Sequence, residues 1–190
     1  VLFAAYHAIL FFVYKTIFNR AKMEVTAMTR GIMNYKLEKG LWPPADFVNA
    51  DTNGNHALRS QGLVIHELLS QDRNGDRFLS VPIARNGTHN GLIESPAEEI
   101  AGIRLVDLWG KEYYFVIDAD GDGTVANPEG GRVSGLFGQH MTPVTLAAPV
   151  IVYSAGPDHD PNTWDDNLCS WRGYNFVSAF RQYWKQNGFF

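Results

Sequence analysis

Apolar residues crowd the start of the chain and then thin to a single stripe. Residues 1–14 (VLFAAYHAILFFVY) contain no Asp, Glu, Lys or Arg, and Lys15 ends the run. From Phe18 the apolar positions become Phe18, Ala21, Val25, Met28, Ile32 and Tyr35, in steps of three and four, with Arg20, Lys22, Thr26, Thr29, Arg30 and Asn34 off that line. This spacing predicts a helix with one buried face. No proline falls within residues 1–42, and Gly31 is the only helix-weakening residue before Gly40, so one helix over 1–39 is expected. At about 1.5 Å per residue it would be about 58 Å long, whereas a compact domain of this size has a radius of gyration of about 16 Å. Such a helix projects. Its second half, residues 19–39, can pack on its own domain; its first half, residues 1–18, is apolar on all sides and needs lipid or other copies of itself.

Other readings of the first segment are weaker. A secretory signal calls for a basic start and a small-residue cleavage site, and neither precedes Lys15. A simple membrane anchor needs about 20 apolar residues. A helix buried in a large core could use a run of this length. Packing against copies of the same helix suits the pattern best.

Beyond the helix the period changes. Gly40 is a natural end and Pro43-Pro44 forbid continuation. Residues 57–71 (ALRSQGLVIHELLSQ) predict a short second helix, with His66 at the surface, and residues 72–80 a turn and a short extended piece. A turn at Trp109-Gly110 leads into Tyr113, Phe115 and Ile117, alternating with Tyr114 and Val116. Both sets are apolar, which predicts a strand covered on two faces. Residues 149–155 (PVIVYSA) predict a second strand, and Phe176, Val177, Phe180, Tyr183 and Trp184 a terminal helix. The class is α+β.

Composition narrows the function. A chain of 190 residues that is 45% hydrophobic supports one sizeable core. A net charge of −4 and no basic run give no support to nucleic-acid binding. Cys169 is the only cysteine, so an intrachain disulfide and a Cys-rich zinc site are excluded.

The candidate chemistry is acidic. Asp118, Asp120, Asp122, Gly123 and Glu129 fit D-x-D-x-D-G-x5-E, whose alternate carboxylates converge on one point around a sharp glycine turn. The flanks read as strand and loop rather than two helices, and a merely solvated hairpin loop is the alternative. A second cluster, Asp158, Asp160, Asp165 and Asp166, lies within nine residues between Pro157 and Asn167. Carboxylates so close repel unless solvated or met by a cation. An all-oxygen, flexible loop favours calcium over magnesium. Catalytic readings fail: Tyr153-Ser154-Ala155-Gly156 lacks the first glycine of a nucleophile elbow, Asp158-His159-Asp160 has no nucleophile or phosphate cradle beside it, and no nucleotide-binding or H-E-x-x-H pattern occurs. Asn86-Gly87-Thr88 matches a glycosylation sequon, a triplet common by chance.

Taken in order, several of these pieces resemble type IV pilin-like proteins, nearest to the major pseudopilins of type II secretion. They are Ala27 with Tyr35-Lys36-Leu37-Glu38-Lys39-Gly40-Leu41-Trp42-Pro43-Pro44, then Gln61-Gly62-Leu63, then Asp107-Leu108-Trp109-Gly110-Lys111-Glu112-Tyr113. Tyr153-Ser154-Ala155-Gly156-Pro157-Asp158 and Asp165-Asp166-Asn167-Leu168-Cys169-Ser170-Trp171 complete the series. The resemblance implies a pilin fold: a protruding N-terminal helix, a small antiparallel sheet packed on its C-terminal half, and a calcium-holding loop near the C-terminus. It implies a methylated, non-enzymatic structural subunit that passes through the inner membrane and then joins copies of itself in a periplasmic or extracellular helical filament, served by type II secretion or type IV pilus machinery. A globular domain over 40–171 and a helical extension over 172–190 follow from the alignment of motifs. Val1 and Ala5 stand where the family has Phe or Met and Glu, Leu108 replaces a proline, and residues 172–190 go beyond the usual end. The alternative reading is a monomeric, membrane-tethered extracellular calcium-binding module.

Overall fold

The computed structural model describes residues 2–43, 57–84, 86–94, 99–134 and 140–172, with side chains described from Phe11 onward apart from residues 133, 134 and 140. Helix α1 runs Leu2–Lys39 without interruption. All six residues of the predicted stripe, from Phe18 to Tyr35, are buried. Burying four of them, Phe18, Val25, Met28 and Ile32, is worth roughly 8 kcal/mol. Before the stripe the helix surface opens, and Phe12 is 66% and Val13 48% exposed. The helix ends at Gly40, whose N–H bonds Lys36 O at 2.9 Å and whose φ of 73° suits glycine. Gly31 is required by packing: a Cβ there would lie 2.8 Å from Phe78 O.

The rest is short strands and loops: β1 (Leu58–Arg59), helix α2 (Leu63–Leu68), β2 (Gly91–Ile93), β3 (Arg104–Val106), β4 (Tyr114–Ile117), β5 (Val125–Ala126), β6 (Val133–Ser134), β7 (His140–Met141), β8 (Thr145–Leu146), β9 (Val150–Ser154) and β10 (Leu168–Cys169). A four-stranded antiparallel sheet has the order β1-β4-β9-β10. Its centre is the β4–β9 pair, in which Phe115 faces Val152 and Ile117 faces Val150. These four side chains, with Tyr113, Leu58 and Leu168, pack under the α1 stripe. Val116 and Ile151 point the other way and meet Val125. Both faces of β4 are therefore covered, as its two-sided apolar pattern predicts.

The predicted second helix needs correction. Residues 58 and 59 form β1, with Leu58 opposite Phe115, and the helix is confined to Leu63–Leu68. Gly62, at φ 64°, breaks the segment in two. The apolar spacing of 57–71 could serve either element; pairing with the edge of β4 decides it. The predicted terminal helix over 172–190 falls, apart from Arg172, outside the described residues. Among the described residues no helix is long and apolar enough to cross a membrane.

Two polar fastenings position the loops beyond the sheet. Asp107 is fully buried; it accepts the Trp109 and Lys111 N–H groups at 2.9 Å each and the Ser154 hydroxyl at 2.6 Å, fixing the Trp109-Gly110 turn against β9. Trp42, just past α1, donates its indole N–H to Asp118 O at 2.8 Å.

Candidate metal centre

The first acidic loop starts where β4 ends. Asp118 is buried and accepts from Gly121 N–H at 2.7 Å, Asp122 N–H at 3.1 Å and Gly123 N–H at 2.9 Å. Gly121 and Gly123, at φ 78° and 86°, permit the tight return. The loop brings Asp118, Asp120 and Asp122 together, with carboxylate oxygens within 4.8 Å of one another. At an effective dielectric of about 20 that separation costs on the order of 3 kcal/mol per charged pair, less where water reaches Asp120 and Asp122.

Glu129 does not join this group. The turn after β5 is held by Asn127, whose side-chain oxygen accepts the Glu129 N–H at 3.1 Å. The Glu129 carboxylate is turned inward and pairs with Arg172 at 2.8 Å. Burial pushes its carboxyl upward in pKa, while Arg172 and Arg132 pull it back. The expected twelfth-position ligand is thus an ion-pair partner of the C-terminal strand's exit. The motif's spacing is met in the text and not in space, because the chain after Gly123 leaves as β5 instead of continuing around the loop.

The second acidic loop joins β9 to β10. Its four aspartates have different surroundings. Asp165 points outward and pairs with Arg132 at 2.7 Å. Asp160 accepts the Asn162 N–H at 2.9 Å. Asp158 accepts the Asp160 N–H at 2.9 Å and the Thr163 hydroxyl, and its own N–H reaches Asp166 Oδ2 at 3.3 Å. Asp166 is wholly buried, and its Oδ1 has no hydrogen-bond partner. Burial first, and the charge of Asp158 second, push the Asp166 carboxyl up to about 7. The adjacent Asn167 Oδ1 is likewise buried without a partner.

Orphaned buried oxygens are rare and costly. An anionic one beside a second carboxylate fits a hard cation, and amide and carboxylate oxygens are the donors calcium takes. The two loops thus differ: among the described residues the carboxylates gathered closely enough for one cation are Asp118, Asp120 and Asp122, whereas the second loop holds two buried oxygens without partners, on Asp166 and Asn167, and has Asp165 already paired with Arg132. Sequence reading misses Asn167, Arg132, Arg172 and Lys22. Only the D-D-N triplet could have flagged the first. Lys22 and Arg132 come from segments distant in the chain, and Arg172, close to the loop in sequence, is paired with the distant Glu129; none carries a local signal.

Lys22 donates to the carbonyls of Cys169 and Arg172, the latter at 2.9 Å. Arg172 also donates to Trp164 O within the second loop. Cys169 itself is a buried thiol, with its pKa raised by burial to about 11. No family model, curated protein or solved structure matches this chain.

Proposed function

We propose that this chain is a structural subunit of a pilin-like or pseudopilin-like helical filament, not an enzyme, with calcium held in its second acidic loop. One observation carries the reading. Helix α1 buries a single face in its own domain from Phe18 onward, while Phe12 and Val13 present apolar surface outward. A helix of that length gains little from standing in water and much from packing with its like. The antiparallel sheet under the second half of α1 and the acidic loop after β9 support the finer assignment to a pilin fold.

Calcium suits the second loop through Asp158, Asp166 and Asn167, with the first loop's Asp118, Asp120 and Asp122 as a lesser site. Its two positive charges would offset the cost of the ionised, buried Asp166. The assembly partner in this reading is the chain itself, after an inner-membrane stage and with secretion-type machinery as its assembler.

Electron microscopy of the purified full chain, in calcium and in chelator, tests this directly. Filaments should form in calcium, and Phe12→Asp should abolish them while circular dichroism and melting of the domain stay unchanged, since a charge among packed apolar helices is costly. Single particles under every condition would favour the monomeric calcium-binding module. Normal filaments from Phe12→Asp would remove the helix from the filament core.

A further inference from the structure

The geometry points to Lys22 and Arg172 as positioning residues that couple the cation site of the second acidic loop to helix α1. This inference rests on the reading of Asp158 and Asp166 as cation ligands. Lys22 projects from the half of α1 that packs on the domain, and its ammonium is the donor for two carbonyls, those of Cys169 and Arg172. Burial lowers its pKa, so the contact is made at some desolvation cost. Arg172 then turns back on the chain. One arm of its guanidinium pairs with the buried Glu129 at 2.8 Å, and the other holds Trp164 O, two residues before Asp166.

The three contacts form one mechanical path. α1 holds residues 169–172 through Lys22; Arg172 holds the loop through Trp164; the loop presents Asp166 to Asp158. The Trp164 ring lies tilted against Tyr153 of β9 at 5.1 Å and against Trp171 at 6.1 Å, and Arg172 is the donor to its carbonyl, so the loop is tied to β9 and to the strand exit at this one residue. Removing Lys22 leaves two carbonyls without their donor and loosens the strand exit from which Arg172 reaches. Loss of a partner bonded directly to a metal ligand typically weakens binding by about 10- to 100-fold; Lys22 and Arg172 act one step further out, so the lower end of that range is expected. By linkage, cation binding must in turn tighten the seating of residues 169–172 on α1, the element whose other half would enter the filament.

Charge alone predicts the reverse sign. Lys22 and Arg172 are both cations, and deleting either would raise the local affinity for a metal if only Coulomb attraction mattered. That opposition makes the test sharp.

The experiment is terbium titration of the full chain, with luminescence excited through tryptophan, in a background of Asp120→Asn with Asp122→Asn to silence the first loop. Lys22→Met and Arg172→Gln should each weaken terbium binding about tenfold, and the double variant should do no more, because both act on one path. Lys22→Arg should restore most of the affinity, and Lys15→Met, a charge removed from the exposed side of α1, should leave it unchanged. Luminescence lifetimes in light and heavy water should show an extra bound water in Lys22→Met, which a merely less stable domain would not produce. Melting curves in chelator confirm that each variant is folded at the titration temperature, and Arg172→Gln carries the test if Lys22→Met is not. Equal or tighter binding in the folded variants overturns the coupling and leaves the site standing. A parent protein that takes up no terbium overturns both.

Discussion

Replacing Asp166 by Asn should make the metal-free protein more stable and abolish its stabilisation by calcium. Asp166 is wholly buried, its Oδ1 has no partner, and burial with the nearby Asp158 charge raises its carboxyl to about 7. Relative to an ordinary carboxyl, ionising it in the fold costs about 4 kcal/mol. Water on the outer side of the loop screens part of this, so about 2 kcal/mol is the usable figure. Asn removes the charge and keeps an oxygen for the Asp158 N–H. The chelated variant should therefore melt about 5 °C higher than the parent at about pH 7.5. Calcium at a hundredfold excess over its dissociation constant should stabilise the parent by roughly 2.7 kcal/mol, and the variant by almost nothing. Differential scanning calorimetry in chelator and in calcium gives all four values. The reasoning is refuted if Asn lowers stability in chelator, for then the Asp166 charge is well met without metal. It is refuted equally if the variant keeps the full calcium shift.

Other outcomes follow from single contacts. Asp107, buried with its carboxyl raised from 3.8 to about 6, holds a proton in the fold at pH values where the unfolded chain has lost it. Its contribution to stability therefore falls as pH rises from about 4 to about 6, by about 3 kcal/mol in all, and is level above; Asp107→Asn should flatten that slope in urea titrations across this range. Gly31→Ala gains about 1 kcal/mol of helix propensity but places its Cβ 2.8 Å from the Phe78 carbonyl, and overpacking of about 2 kcal/mol wins; a net loss of about 1 kcal/mol by urea denaturation is expected, and a gain would show that the Phe78 segment yields freely. Glu129→Gln should leave terbium uptake by Asp118, Asp120 and Asp122 unchanged while costing about 2 kcal/mol through the unpaired, partly buried Arg172; a loss of uptake at that loop would restore Glu129 as its ligand.

The buried face of α1 is legible in the sequence because it is a local property. Phe18, Ala21, Val25, Met28, Ile32 and Tyr35 are spaced by the helix's own period, and any partner surface would select the same face. The same holds for β4 and β9, where unbroken apolar runs require cover on both sides. Segment 57–71 has no such single answer: seven apolar residues around Gly62 can serve a helix or a strand, and only the open edge of β4 assigns Leu58 to the sheet. The acidic loops divide in the same way. Convergence of Asp118, Asp120 and Asp122 follows from short-range turn geometry, so the text predicts it. Glu129, Asp165 and Asp166 were distinguished only by what folding brought to them. Arg172 took the first, Arg132 the second, and the third was left buried with a bare oxygen. Charge pairing acts through space between residues 33 and 43 positions apart, and no local pattern records which carboxylate will be neutralised by an arginine and which will be left without a partner.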